Sequence, residues 1–119
     1  MEGKGKRGIG LEYALNGLKE AFIRERNFRI HLFIASIVII TGFFFRLSVI
    51  EWIFIIIMIQ AVLITELINS LIERVIDYIK PELHPKAKII KDISAAVVLV
   101  AAITSIIVGL IIFIPKILL

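Results

Sequence analysis

Residues 52–77 read WIFIIIMIQAVLITELINSLIERVID, and the fold turns on what changes halfway along them. From Trp52 to Thr65 there is no formal charge, and an apolar run of this kind is a membrane span by default. From Glu66 onward polar residues enter at Glu66, Asn69, Glu73 and Asp77, while the residues between them keep the apolar spacing of a helix. One helix therefore continues from the hydrocarbon towards water and carries a polar stripe. Steps of three, four and four put all four residues on one side of a helix with 3.6 residues per turn. Glu66 and Glu73 are seven residues apart, about 10 Å along the axis, so one carboxylate lies deeper than the other.

Two further stretches, Ile30 to Phe45 and Ile93 to Pro115, are also free of charge. The 119 residues are 60% apolar and 20% charged, and a chain of this length can hide one core but not three such segments. A soluble monomer and a disordered chain are both excluded. Isoleucine and valine are abundant, but membrane strands alternate apolar and polar faces and these runs do not, so the class is all-α. The absence of cysteine removes disulfide scaffolds, thiolate metal sites and cysteine nucleophiles.

The net charge of +4 raises the question of nucleic acid, and the placement of the charges answers it in the negative. Twelve of the fourteen basic residues precede the first run or lie between the second and third; only Arg46 and Lys116 fall elsewhere. Under the positive-inside rule the expectation is three transmembrane helices, N-in and C-out. About 29 mostly polar residues come before the first run, and no signal-peptide cleavage pattern follows it.

Within a single domain, 1–119, residues 1–8 read as a mobile tail and 9–26 as an amphipathic surface helix. Leu11, Leu15, Leu18 and Phe22 form its apolar stripe, facing lipid, the spans or a partner protein. The spans fall in helices over 28–47, 52–79 and 92–115. The short connection Arg46 to Glu51 makes the first two antiparallel neighbours, Trp52 is an interfacial anchor, and Lys80, Pro81, His84 and Pro85 mark a break.

A carboxylate inside a span costs roughly 2.5 to 3.5 kcal/mol on insertion scales, so a stripe of them needs partners or a purpose. The structural alternative is pairing with Arg24, Arg26, Arg29 or Arg74. The chemical reading is a cation path, a proton relay or a metal site. Glu25, at the inner mouth of the first span, is placed to share a divalent cation with Glu73, and oxygen ligands suit magnesium, which takes phosphates in its remaining positions. Lys88 and Lys91, with Asp92, suit phosphates. His31 and His84 read as an interface and a loop residue. No Walker loop, kinase glycine loop or nucleophile elbow is present. Three spans alone would cover the stripe poorly, which makes self-association an expectation.

Three runs, Glu25-Arg-Asn-Phe-Arg-Ile-His31, Glu66-Leu-Ile-Asn-Ser-Leu-Ile-Glu-Arg-Val-Ile-Asp77 and Ala87-Lys-Ile-Ile-Lys-Asp-Ile-Ser-Ala-Ala-Val-Val-Leu99, resemble the prokaryotic diacylglycerol kinase family of small membrane lipid kinases. The pattern E-x-x-N-S-x-I-E-x-x-x-D followed by A-K-x-x-K-D is specific, and the resemblance covers nearly the whole chain. It implies a homotrimer in the bacterial plasma membrane, transferring the γ-phosphoryl group of MgATP to a lipid alcohol at a cytoplasmic-side site. Glu66 resembles the catalytic base and Asn69 the site asparagine, while Glu25 and Glu73 resemble the magnesium-holding carboxylates. Tyr13, Glu82, His84, Lys91 and Asp92 match nucleotide-contacting positions, and Lys6 a looser basic one.

The ERNFRIH run and the stretch Gly42 to Phe54 look more like the undecaprenol kinase branch than the diacylglycerol-specific one. Ser94-Ala95-Ala96-Val97 departs from the Ala-Ala-Gly-Ala pattern of that branch and keeps diacylglycerol as the alternative acceptor. A reading of another class, a carboxylate-lined proton or cation conductor, accounts for Glu66 and Glu73 but gives no role to Glu25 or the Lys91–Asp92 pair.

Overall fold

The computed structural model describes residues 10–80, 82 and 84–119. It contains four helices in chain order: α1 (Leu11–Arg24), α2 (Arg26–Phe44), α3 (Val49–Ile79) and α4 (Pro85–Leu118), with no strand among the described residues. The tail read at 1–8, and Lys6 within it, lie outside them. The last three helices are long and apolar enough to cross a membrane. At 1.5 Å per residue α3 runs about 46 Å, well beyond a hydrocarbon core of about 30 Å, so the end of the helix that carries Glu73 and Asp77 reaches past it while Glu66 lies deeper.

Each junction is built from local hydrogen bonds. Glu25 alone, in extended conformation, separates α1 from α2; its N–H closes α1 on the Ala21 carbonyl. Arg29 then reaches back and donates to the carbonyls of Phe22 (2.8 Å) and Ile23 (2.9 Å), satisfying orphan acceptors at the end of α1. At the far end of α2, Leu47 N–H bonds Gly42 and Arg46 N–H bonds Phe43, the paired bonds of a Schellman stop, with Arg46 at φ 54° where glycine is usual.

Ser48 and Glu51 form a reciprocal capping box, so α3 starts at Val49, three residues before Trp52. The basic run 86–91 is helical as well. His84 Nδ1 accepts from Lys86 N–H and Pro85 takes the first helical position, which starts α4 seven residues ahead of the 92 read from hydropathy.

Packing is uneven. α3 and α4 lie against each other extensively, whereas α2 leans on α3 and stands off α4. At the end bearing the α2–α3 connection, Leu47, Ile55 and Ile112 form a buried cluster with Trp52 and Phe113 against it. Lys116 pairs with Glu51 at 3.0 Å on the same side. Trp52 sits so close to Gly42 that a Cβ there would meet its ring at 2.7 Å.

The standing-off of α2 leaves a cleft of about 350 Å³, floored by α3. Its walls are apolar, including Ala35 and Val38 of α2, Met58 and Val62 of α3, and Gly109 of α4. The apolar stripe of α1, Leu11, Leu15, Leu18 and Phe22, is exposed among the described residues.

Candidate active site

The buried polar residues of the described chain are Glu66, Asn69, Ser70 and Ser94, and they are neighbours. Glu66, 3% exposed, is the centre. Asn69, one turn further along α3 on the same face, accepts at Oδ1 from the Ser94 hydroxyl of α4 at 2.6 Å, which turns its amide oxygen towards α4. Ser70 shares its proton between Glu25 Oε1 (3.2 Å) and Glu66 Oε2 (3.5 Å), linking the α1–α2 elbow to α3. His31 Nε2 of α2 lies 3.5 Å from Glu66 Oε1. Every buried side-chain polar atom among the described residues has a partner, as a carboxylate inside a membrane protein requires.

Around this centre lies a ring of ion pairs at the polar end of the helices. Arg74 Nη2 and Nε hold Glu25 Oε2 at 2.8 and 3.2 Å, and Nη1 reaches Glu20 at 3.2 Å. Lys91 pairs with Asp77 at 2.7 Å, and Lys88 with Asp92 at 2.6 Å. Structural pairing thus claims Asp77 and, through Arg74, Glu25, but not Glu66.

The sequence-derived candidates divide into two groups. Glu25 is joined to Glu66 through Ser70, Asn69 lies one turn from Glu66 on α3, and Glu73 is half-buried two turns further along the same helix. Lys91 joins them through Asp77 and the field of Glu73. The remainder lie apart within one chain. Asp92 is exposed and turned to Lys88. Glu82 is exposed and 3.3 Å from Lys80. His84 caps α4, and Tyr13 is half-buried in the first turn of α1, about 18 Å along the helix from Glu25.

Three contributors were not among the sequence candidates: Ser70, Ser94 and His31. Ser70 shows the helical spacing that marks Glu66, and Ser94 is the position that breaks the expected pattern. Of the stripe, Glu66 and Asn69 are buried within a single chain, whereas Glu73 is half-buried and Asp77 exposed, so its water-facing part is left open.

Among the described residues no three His, Asp or Glu side chains converge to hold a metal by themselves. The donor set still fits magnesium, which is commonly bound by one or two carboxylates with phosphates and waters completing the shell. Glu25 and Glu73 supply two carboxylates at the water-facing side of Glu66.

A buried acid beside the inner end of an apolar cleft, with charged helix ends around it and three helices long enough to span a bilayer, is the arrangement of a membrane protein with a polar site. A match to the family "Prokaryotic diacylglycerol kinase" covers residues 12–113, and the chain belongs to that family of membrane lipid kinases. It is 43% identical to the undecaprenol kinase of Bacillus subtilis over 104 residues, 87% of this chain and 85% of that one. It is 37% identical to a diacylglycerol kinase of Synechocystis, over 92% of this chain and 63% of the relative. The diacylglycerol kinase of Escherichia coli K12 is 32% identical over 80% of this chain and 78% of its own. Membership decides for the enzyme over the cation conductor.

Proposed function

We propose that the chain, as one domain, transfers the γ-phosphoryl group of MgATP to the hydroxyl of undecaprenol, with diacylglycerol the alternative acceptor. The observation that carries this reading is the buried Glu66 beside the inner end of the cleft. From Ala102 to Phe113 the cleft follows twelve residues of α4, about 16 Å end to end, which suits a single extended hydrocarbon chain better than a bulky head group. The similarity to an undecaprenol kinase over most of both chains supports the polyprenol.

Glu66 takes the proton of the lipid alcohol as its oxygen attacks phosphorus, and Asn69 keeps the carboxylate aimed. Glu25 and Glu73 are the residues that would hold magnesium, which would supply charge neutralisation, the main demand of phosphoryl transfer. Lys91, with Tyr13, Glu82, His84 and Asp92, serves the nucleotide.

The basic ends, with Arg74, Lys88 and Lys91, face the cytoplasm under the positive-inside rule, giving an N-in, C-out chain with its site on that side of the bacterial plasma membrane. Glu66 and Asn69 are buried within one chain while Glu73 and Asp77 are not, and the homotrimer rests on the family resemblance. Assembly gives the outlying Tyr13, Glu82 and Asp92 of one copy a route to the cluster of another.

The test is transfer of label from γ-labelled ATP in micelles containing undecaprenol and diacylglycerol together, with the lipid products separated. Label in polyprenyl phosphate is expected. Label confined to phosphatidic acid would overturn the choice of acceptor, and ATP consumption indifferent to either lipid would overturn the kinase reading.

A further inference from the structure

Glu66 does not itself line the cleft; His31 stands between them. Its ring is half-buried, lines the inner end of the cleft and places Nε2 3.5 Å from Glu66 Oε1. That separation is longer than the 2.7–3.2 Å of a well-formed N–H···O bond, so the pair is an open couple of one donor and one acceptor. The rest of the lining offers an alcohol almost nothing. Apart from His31 the only hydroxyl or nitrogen-bearing side chain there is Ser105, whose proton goes to the Ala102 carbonyl of its own helix at 2.8 Å. A hydroxyl arriving at the inner end therefore meets one polar group before it meets Glu66.

Resting on the kinase reading, we infer that His31 is a catalytic residue that orients the acceptor alcohol. Its Nε2–H donates to the lipid oxygen while the hydroxyl proton points to Glu66 Oε1. This leaves a lone pair of that oxygen free for phosphorus. As the new oxygen–phosphorus bond forms, the O–H proton passes to the Glu66 carboxylate and the bond from the γ-phosphorus to the ADP oxygen breaks. His31 keeps its proton throughout.

The inference depends on one donor at one place, and two substitutions separate that from packing. His31→Gln puts an amide N–H near the position of Nε2, whereas His31→Phe keeps the ring and removes the donor. With MgATP and dispersed undecaprenol, His31→Phe is expected to lower kcat/KM for the lipid about tenfold or more, the scale of one lost substrate hydrogen bond, with KM for ATP unmoved. His31→Gln is expected to recover most of the loss. Melting temperatures in detergent should match wild type for both. Equal activity of His31→Phe and wild type would overturn the assignment, as would equal impairment of both variants or a loss that tracks melting temperature. Absence of lipid-dependent transfer in the wild type would instead overturn the kinase reading beneath it.

Discussion

The buried Glu66 carboxylate has Ser70 at one oxygen and His31 at the other, each at 3.5 Å, and on the proposed reading it is the base. The acidic stripe was legible from spacing alone, since four polar residues at helical intervals in an apolar run mark out one face of one continuous helix. Ser70 and Ser94 were not, for a physical reason. A hydroxyl in a span can always bond back to its own helix, as Ser36, Thr41, Thr65 and Thr104 do. Nothing local distinguishes these from the two serines that reach across to another helix or to the elbow. Ser94→Ala removes the donor that holds Asn69 Oδ1 and leaves a buried acceptor unpaired. The expected result is a loss of about 1 kcal/mol in stability, read as a lower melting temperature in detergent, together with a several-fold fall in transfer as the Asn69 amide loses its orientation.

At the level of elements, helix type and order followed from apolar run length, whereas the boundaries did not follow from hydropathy. α3 begins at its capping box and α4 at its N1 proline, and both signals, Ser48-x-x-Glu51 and His84-Pro85, are short polar patterns beside the apolar runs. The α2–α3 corner is so tight that only a glycine admits it: Trp52 packs over Gly42 and meets Phe43 at a tilt of 52°, ring centroids 4.9 Å apart. Gly42→Ala drives a methyl group into the indole, so the ring must move out of the cluster around Ile55 and Ile112. A cost of about 1–3 kcal/mol follows from such overpacking. Thermal unfolding in detergent measures it; a melting temperature at or above wild type would show that the corner relaxes freely.

For the whole molecule, function follows from an imbalance. α3 and α4 are closely packed while α2 leans mainly on α3, and the space left over is the cleft that ends at His31. No sequence pattern announces this gap, because lipid-facing and cleft-facing isoleucines read alike. Gly109 lines the cleft with open space beyond its Cα. Gly109→Leu therefore fills the cleft without a clash in the folded chain, and is expected to raise KM for the lipid several-fold while leaving KM for ATP unchanged in steady-state kinetics. Equal lipid KM values would place the acceptor elsewhere.

The claim on which the rest depends is that a single buried carboxylate deprotonates the acceptor. Glu66→Gln keeps the volume and the hydrogen-bonding capacity of the side chain, so the cluster persists while the base is lost. The direct measurement is single-turnover transfer from γ-labelled ATP to undecaprenol by wild type and Glu66→Gln at saturating MgATP. A fall of about 100-fold or more, with nucleotide affinity retained, is the expected outcome. Transfer by Glu66→Gln within a few-fold of wild type would contradict the account.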